Sequence, residues 1–172
     1  MITVLVTSKT GHAFAQEIRV GAHMAVSDVD KGVGGSDLGL SPHELFLGAL
    51  GACTAMTLQM VARRKSWDLK EISVTVSEQL VDDPANPGQK ISSITEQIEV
   101  KGNLTQAELN ALEKAAERCP VYKLLTGPKQ VSTSLIHRTP PPPVASSQPA
   151  SGAGQQAPAA GSNPGAIPGN SQ

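Results

Sequence analysis

Gly39-Leu-Ser-Pro-His-Glu-Leu-Phe-Leu-Gly-Ala-Leu-Gly-Ala-Cys-Thr54 is the stretch whose reading decides the fold. Ser41 is a good helix N-cap, Pro42 suits the first helical position, and Glu44 follows the cap at the spacing of a capping box. Beyond it, Leu45 through Ala62 is apolar nearly all round, so the helix is expected to be buried on every side rather than along one stripe. Arg63, Arg64 and Lys65 close it, where cations suit the negative end of the helix dipole.

Outward from this helix the chain alternates between strand and helix signals. Ile2 to Thr7, Ala13 to Val20 and Ala22 to Ser27 read as three strands, followed by a glycine-rich, irregular loop from Lys31 to Gly39. After the helix, Ile72, Val74 and Val76 alternate with polar residues, and Ile94, Glu96, Ile98 and Val100 do so beyond the turn cluster Asp82–Gly88. The two runs are predicted to pair as a hairpin. Thr105 and Glu108 form a second capping box, opening a helix to about Arg118. Cys119-Pro120 interrupts it, a short helix follows to Leu125, and Val131, Thr133 and Leu135 mark a last strand. This order predicts an α+β domain over residues 1–138, with long helices against antiparallel sheet. The first helix is too apolar for a solvent face, so a second subunit is expected over it.

Residues 139–172 contain no charged and no aromatic residue and begin with Pro140–Pro143. Such a composition predicts a disordered tail, with partner recruitment through the polyproline run as a weaker alternative. In the whole 172-residue chain the net charge is −1. The only aromatic residues are Phe14, Phe46, Trp67 and Tyr122, so nucleic-acid binding has little support. No run was expected to span a membrane, the longest being broken by Gly, Cys, Thr and Gln. The N-terminus lacks a charged leader with a small-residue cleavage site. A soluble cytoplasmic protein is the expectation, in which two cysteines stay reduced or cycle rather than form a structural bridge.

Cys53 falls about three turns into the buried helix, and Cys119 stands before Pro120, where its thiol is a candidate N-cap. A thiol of ordinary acidity is only about 3% ionised at pH 7, so peroxide chemistry at Cys53 needs a cation or donor nearby. Two buried cysteines are also compatible with inert packing. A metal site is not expected, because no histidine lies at ligand spacing from either cysteine.

The Gly39–Thr54 stretch resembles the helix-opening signature of the OsmC/Ohr family, the osmotically inducible protein C and organic hydroperoxide resistance proteins. Cys119-Pro120-Val121, behind an amphipathic helix, resembles the family's second cysteine. The resemblance covers roughly Met1 to His137. It implies antiparallel sheets packed around two long central helices in an intertwined homodimer. It also implies a peroxidase in which Cys53 attacks a hydroperoxide, Cys119 condenses with the sulfenic acid, and a dithiol reductant of lipoyl type reopens the disulfide. No metal or organic cofactor is implied.

Peroxidase members of the family carry a glutamate ten residues before the reactive cysteine, paired with an arginine. Here that position is His43, with Glu44 next to it. The arginine has no clear counterpart: Lys9 is the nearest basic residue in the N-terminal strands, and the pre-helix loop offers Lys31. Lysine lacks arginine's planar fork for a carboxylate. Ten helical residues rise about 15 Å, so His43 reaches Cys53 only across a dimer. His43 and Lys9 are therefore candidate supporting residues, while for Glu44 the capping box is the preferred role. His12, His23 and His137 read as ordinary surface or strand residues. Beside the peroxidase stands the alternative of a divergent member binding a small apolar or electrophilic molecule in the dimer cavity, with little peroxide turnover. A scaffold that recruits partners through its tail is the weakest reading.

Overall fold

The computed structural model describes residues 1–138; the expected tail, 139–172, lies outside the described residues. Three antiparallel strands come first, β1 (Leu5–Ser8), β2 (Gln16–Val20) and β3 (His23–Ser27), in the order β1-β2-β3. Helix α1 (Pro42–Lys65) follows, then a long hairpin of β4 (Asp68–Asp82) and β5 (Lys90–Asn103), then α2 (Gln106–Ala116) and α3 (Pro120–Thr126). The mixed α+β class is as the sequence predicts. Helix α2 stops at Ala116, two residues short of the expected end.

The loop before α1 is more ordered than its glycines imply. Lys31–Val33 forms a short 3-10 turn capped by the Asp30 carboxylate. Asp28, 2% exposed, organises the rest: its carboxylate accepts N–H bonds from Val29 (2.9 Å), Ser36 (3.0 Å) and Leu38 (3.3 Å). Burial alone would raise its pKa, but those three donors outweigh it and hold the carboxyl below its ordinary value. The loop is thereby tied down just ahead of α1, where Ser41 and Glu44 close the expected capping box from both sides.

Helix α1 packs chiefly against β4, α2 and α3. It lies close to the sheet at Gly51, where an added Cβ would stand 2.9 Å from Val76 Cγ2. Leu58 of α1 is fully buried at the centre of a core with Leu112, Ala115 and Ala116 of α2, against which Trp67, Ile72, Ile98 and Leu104 are packed. The hairpin supplies one wall because β4 and β5 alternate inward apolar and outward polar residues, in register from Ile72 opposite Val100 to Val76 opposite Glu96.

Three expectations are corrected. Burial of α1 is one-sided within this chain: Leu50, Gly51, Thr54, Leu58 and Ala62 are buried, whereas Phe46, Met56 and Met60 are exposed. One hairpin and two short helices cannot surround a 24-residue helix. Second, α1 is long and apolar enough to cross a membrane by length and composition. The residues taken as interruptions are small or carry one neutral polar group, which lowers hydropathy little. Its packing is nevertheless that of a core helix, since it lies on a hairpin whose sheet edges a bilayer would leave unpaired. Third, Val131, Thr133 and Leu135 form no strand; residues 132–138 fall in a separate unit and have no regular secondary structure. Strand propensity alone does not make a strand, which exists only when its backbone pairs, and Val131 and Leu135 are exposed.

Candidate active site: a pair of free thiols

The contact between α1 and α3 brings the two cysteines together. Both are free thiols, and they lie close enough for each to act on the other's ionisation. Cys53 is half-buried, while Cys119 is completely buried. Cys119 occupies the N-cap of α3, and its carbonyl accepts the first bond of that helix from Lys123 N–H at 3.0 Å. Its sulfur makes no capping hydrogen bond of regular geometry, contrary to the N-cap expectation. The N–H groups of Val121 and Tyr122 still lie close enough to stabilise charge on it.

The two sulfurs are not equivalent. Burial pushes the Cys53 thiol up, and the bond to Cys119 pushes it further, against weaker help from Val121 N–H and the Thr57 hydroxyl. For Cys119 burial also works against ionisation. There, however, the Cys53 thiol, Tyr122 N–H, the Thr54 hydroxyl and Val121 N–H together outweigh it, so Cys119 is held below its ordinary value. Of the two thiols Cys119 is therefore the more readily ionised. None of the groups acting on Cys53 is a cation.

The other candidate residues are held elsewhere. His43 pairs with Glu78 of β4 and meets Phe46 edge to face, with ring centroids 6.5 Å apart. Together with Ser92, Ile94 and Leu125 these residues line an open groove of about 540 Å³. Glu44 is engaged in the Ser41 cap, which holds its carboxyl below its ordinary value. Lys9 bonds Glu17 at 3.2 Å on the β1–β2 hairpin, and Arg19 bonds the same carboxylate at 2.7 Å. The structure thus unites Cys53 with Cys119 and leaves His43, Glu44 and Lys9 each with a different partner.

Two participants were missed in the sequence. Glu78 had a legible signal: it continues the inward series Ile72, Val74, Val76 on β4, so alternation puts a carboxylate where an apolar residue is expected. Thr54 had none, since a threonine in an apolar helix usually bonds a carbonyl of its own preceding turn.

The fold is an α+β domain that brings two free thiols together, one on a core helix and one at a helix break. The chain belongs to the OsmC family: the family of OsmC-like proteins matches residues 34–134, more than half of it. Among solved structures it is similar to an OsmC-like protein from Mycoplasma pneumoniae (17% identity, 74% of this chain and 88% of that one, TM-score 0.60). It is also similar to the organic hydroperoxide resistance protein OsmC from Legionella pneumophila (23%, 73% and 90%, TM-score 0.53). A third likeness is to an organic hydroperoxide resistance protein from Elizabethkingia anophelis (22%, 74% and 90%, TM-score 0.52). At these identities the likeness is one of fold. No curated protein matches the sequence significantly.

Proposed function

We propose that the protein is a thiol-dependent peroxidase that reduces organic hydroperoxides through Cys53 and Cys119, in oxidative-stress defence in the cytoplasm. The observation that carries this reading is the juxtaposition of the two free thiols, with the more accessible one on α1. Cys53 gives up its proton to solvent and, as thiolate, attacks the terminal peroxide oxygen. The S–O bond forms as the O–O bond breaks, and the alkoxide leaves as an alcohol after taking a proton. Cys119 then attacks the sulfenic sulfur, forming the disulfide and expelling the oxygen as water, and a dithiol of lipoyl type restores both thiols.

One equivalent of cumene hydroperoxide is expected to give an intramolecular Cys53–Cys119 disulfide by mass spectrometry, and dihydrolipoamide to reopen it. Reduced thiols surviving an excess of peroxide would sink the proposal. Among the described residues no cation acts on Cys53, whose thiol burial pushes up, and this favours the alternative of a ligand-binding member with slow turnover. A disulfide that forms only over hours would support that alternative.

The working form in this reading is a homodimer. Phe46, Met56 and Met60 of α1 stand exposed, as do Leu5, Val6 and Met24 of the N-terminal sheet. Apolar faces of this extent on a small domain call for a cover. Sedimentation equilibrium is expected to return twice the 17.8 kDa chain mass. A monomer at micromolar concentration would contradict it.

A further inference from the structure

We infer that the Cys53–Cys119 disulfide opens in one direction only, the reductant's thiolate attacking Cys53 while the Thr54 hydroxyl receives Cys119 as the leaving thiolate. This rests on the redox-pair reading above and adds to it the choice of sulfur and the residue that makes the choice.

Thr54 is completely buried, and its Oγ1 makes no hydrogen bond of regular geometry. A threonine within a helix ordinarily donates to a carbonyl one turn back, and here it does not. The neighbouring group whose charge its hydroxyl favours is the Cys119 sulfur. A wholly buried hydroxyl without another partner, set against a wholly buried sulfur, is a donor held in reserve for charge on that sulfur. Val121 and Tyr122 add backbone N–H donors to the same atom.

Access points the same way. A thiolate attacks a disulfide along the S–S axis, from the side opposite the leaving sulfur. With Cys53 half-buried and Cys119 fully buried, attack from outside falls on Cys53 and drives Cys119 inward onto its donors. The reductant's sulfur bonds Cys53 as the S–S bond breaks, and the electron pair leaves on Cys119. The reductant's second thiol, as thiolate, then attacks the mixed disulfide, releasing Cys53 as thiolate and closing the reductant's own disulfide. Exchange is faster when the leaving thiol is the more acidic, and Cys119 is the sulfur whose ionised form is favoured.

The test begins from the disulfide prepared with diamide, so that it does not depend on peroxide turnover. Brief exposure to 2-mercaptoethanol, acid quenching, alkylation with iodoacetamide and peptide mapping should find the mercaptoethanol adduct on Cys53 and the alkyl group on Cys119. The adduct on Cys119 would overturn the inference. The isosteric Thr54→Val variant should open with dihydrolipoamide roughly tenfold more slowly at pH 7, the worth of one hydrogen bond to a charged acceptor, and Thr54→Ser should restore the rate. In reduced Thr54→Val, alkylation of Cys119 should require higher pH. An unchanged opening rate with an unchanged pH profile would remove Thr54 from the mechanism. Failure of diamide to form the disulfide would overturn the pair and this inference together. A disulfide that opens as described in a protein that does not consume peroxide would overturn the peroxidase reading alone.

Discussion

In Cys53→Ser, peroxide loss with dihydrolipoamide is expected to fall to the rate in buffer, whereas Cys119→Ser, with no reductant present, should consume one equivalent of peroxide and stop. The physical reason lies in what each sulfur does. Serine at 53 removes the only reactive atom on the accessible side of the pair; its hydroxyl does not ionise near neutral pH and is a poor nucleophile towards oxygen. Serine at 119 removes the neighbouring sulfur, which supplies both of the causes that raise the Cys53 thiol after burial itself. Cys53 should then ionise at lower pH and react with iodoacetamide faster than in the wild type. Its sulfenic acid, with no thiol beside it, should accumulate and trap dimedone. Turnover by Cys53→Ser equal to the wild type would end the peroxidase reading. Slower alkylation of Cys53 in Cys119→Ser would show that Cys53 is the more readily ionised of the two.

Leu58→Ala is expected to carry the largest stability loss of a single core substitution. Leu58 is fully buried and joins α1 to α2, with Val61, Trp67, Ile72, Ile98 and Leu104 packed around the same cluster. Its removal combines the lost transfer free energy with a cavity whose walls come from a helix, a second helix and a hairpin. Those walls cannot collapse together. The cost should be about 3 kcal/mol, a fall in Tm on the order of 10 °C measured at fixed protein concentration. Leu58→Met, which keeps the volume, should cost less than about 1.5 kcal/mol. Similar Tm values for the two variants would mean that this cluster does not hold α1 against α2.

The same core explains why the cysteines meet. α2 ends at Ala116 against Leu58, and Cys119 follows three residues later, where its N–H bonds the Ala116 carbonyl at 3.0 Å. Pro120 prevents the helix from continuing straight on, because it has no N–H and its ring crowds the preceding turn. The chain restarts as α3 alongside α1, which brings the Cys119 sulfur back to Cys53.

Elements governed by neighbouring residues were legible in the amino-acid sequence. Ser41, Pro42 and Glu44 begin α1 and Arg63–Lys65 end it, because capping bonds and dipole effects act within one turn. The hairpin was legible for a similar reason: alternation of period two marks an inward face, and the turn residues Asp83 and Gly88 mark its reversal. Val131–Leu135 misled because strand propensity is local and strand pairing is not.

The thiol pair was the opposite case in part. That Cys53 and Cys119 belong together was available from the resemblance of their motifs to a known family, but which of them is the more acidic was not. That depends on Thr54, Thr57, Val121 and Tyr122 converging from α1 and α3, and on unequal burial. Likewise, neither the pairing of His43 with Glu78 nor that of Lys9 with Glu17 follows from spacing along the chain. By itself the sequence determined the limits of α1 and the hairpin, because short-range hydrogen bonds and side-chain periodicity set them. Only the tertiary structure decided the acidity order of the two sulfurs and the partners of the charged residues, because electrostatic effects depend on distance through space.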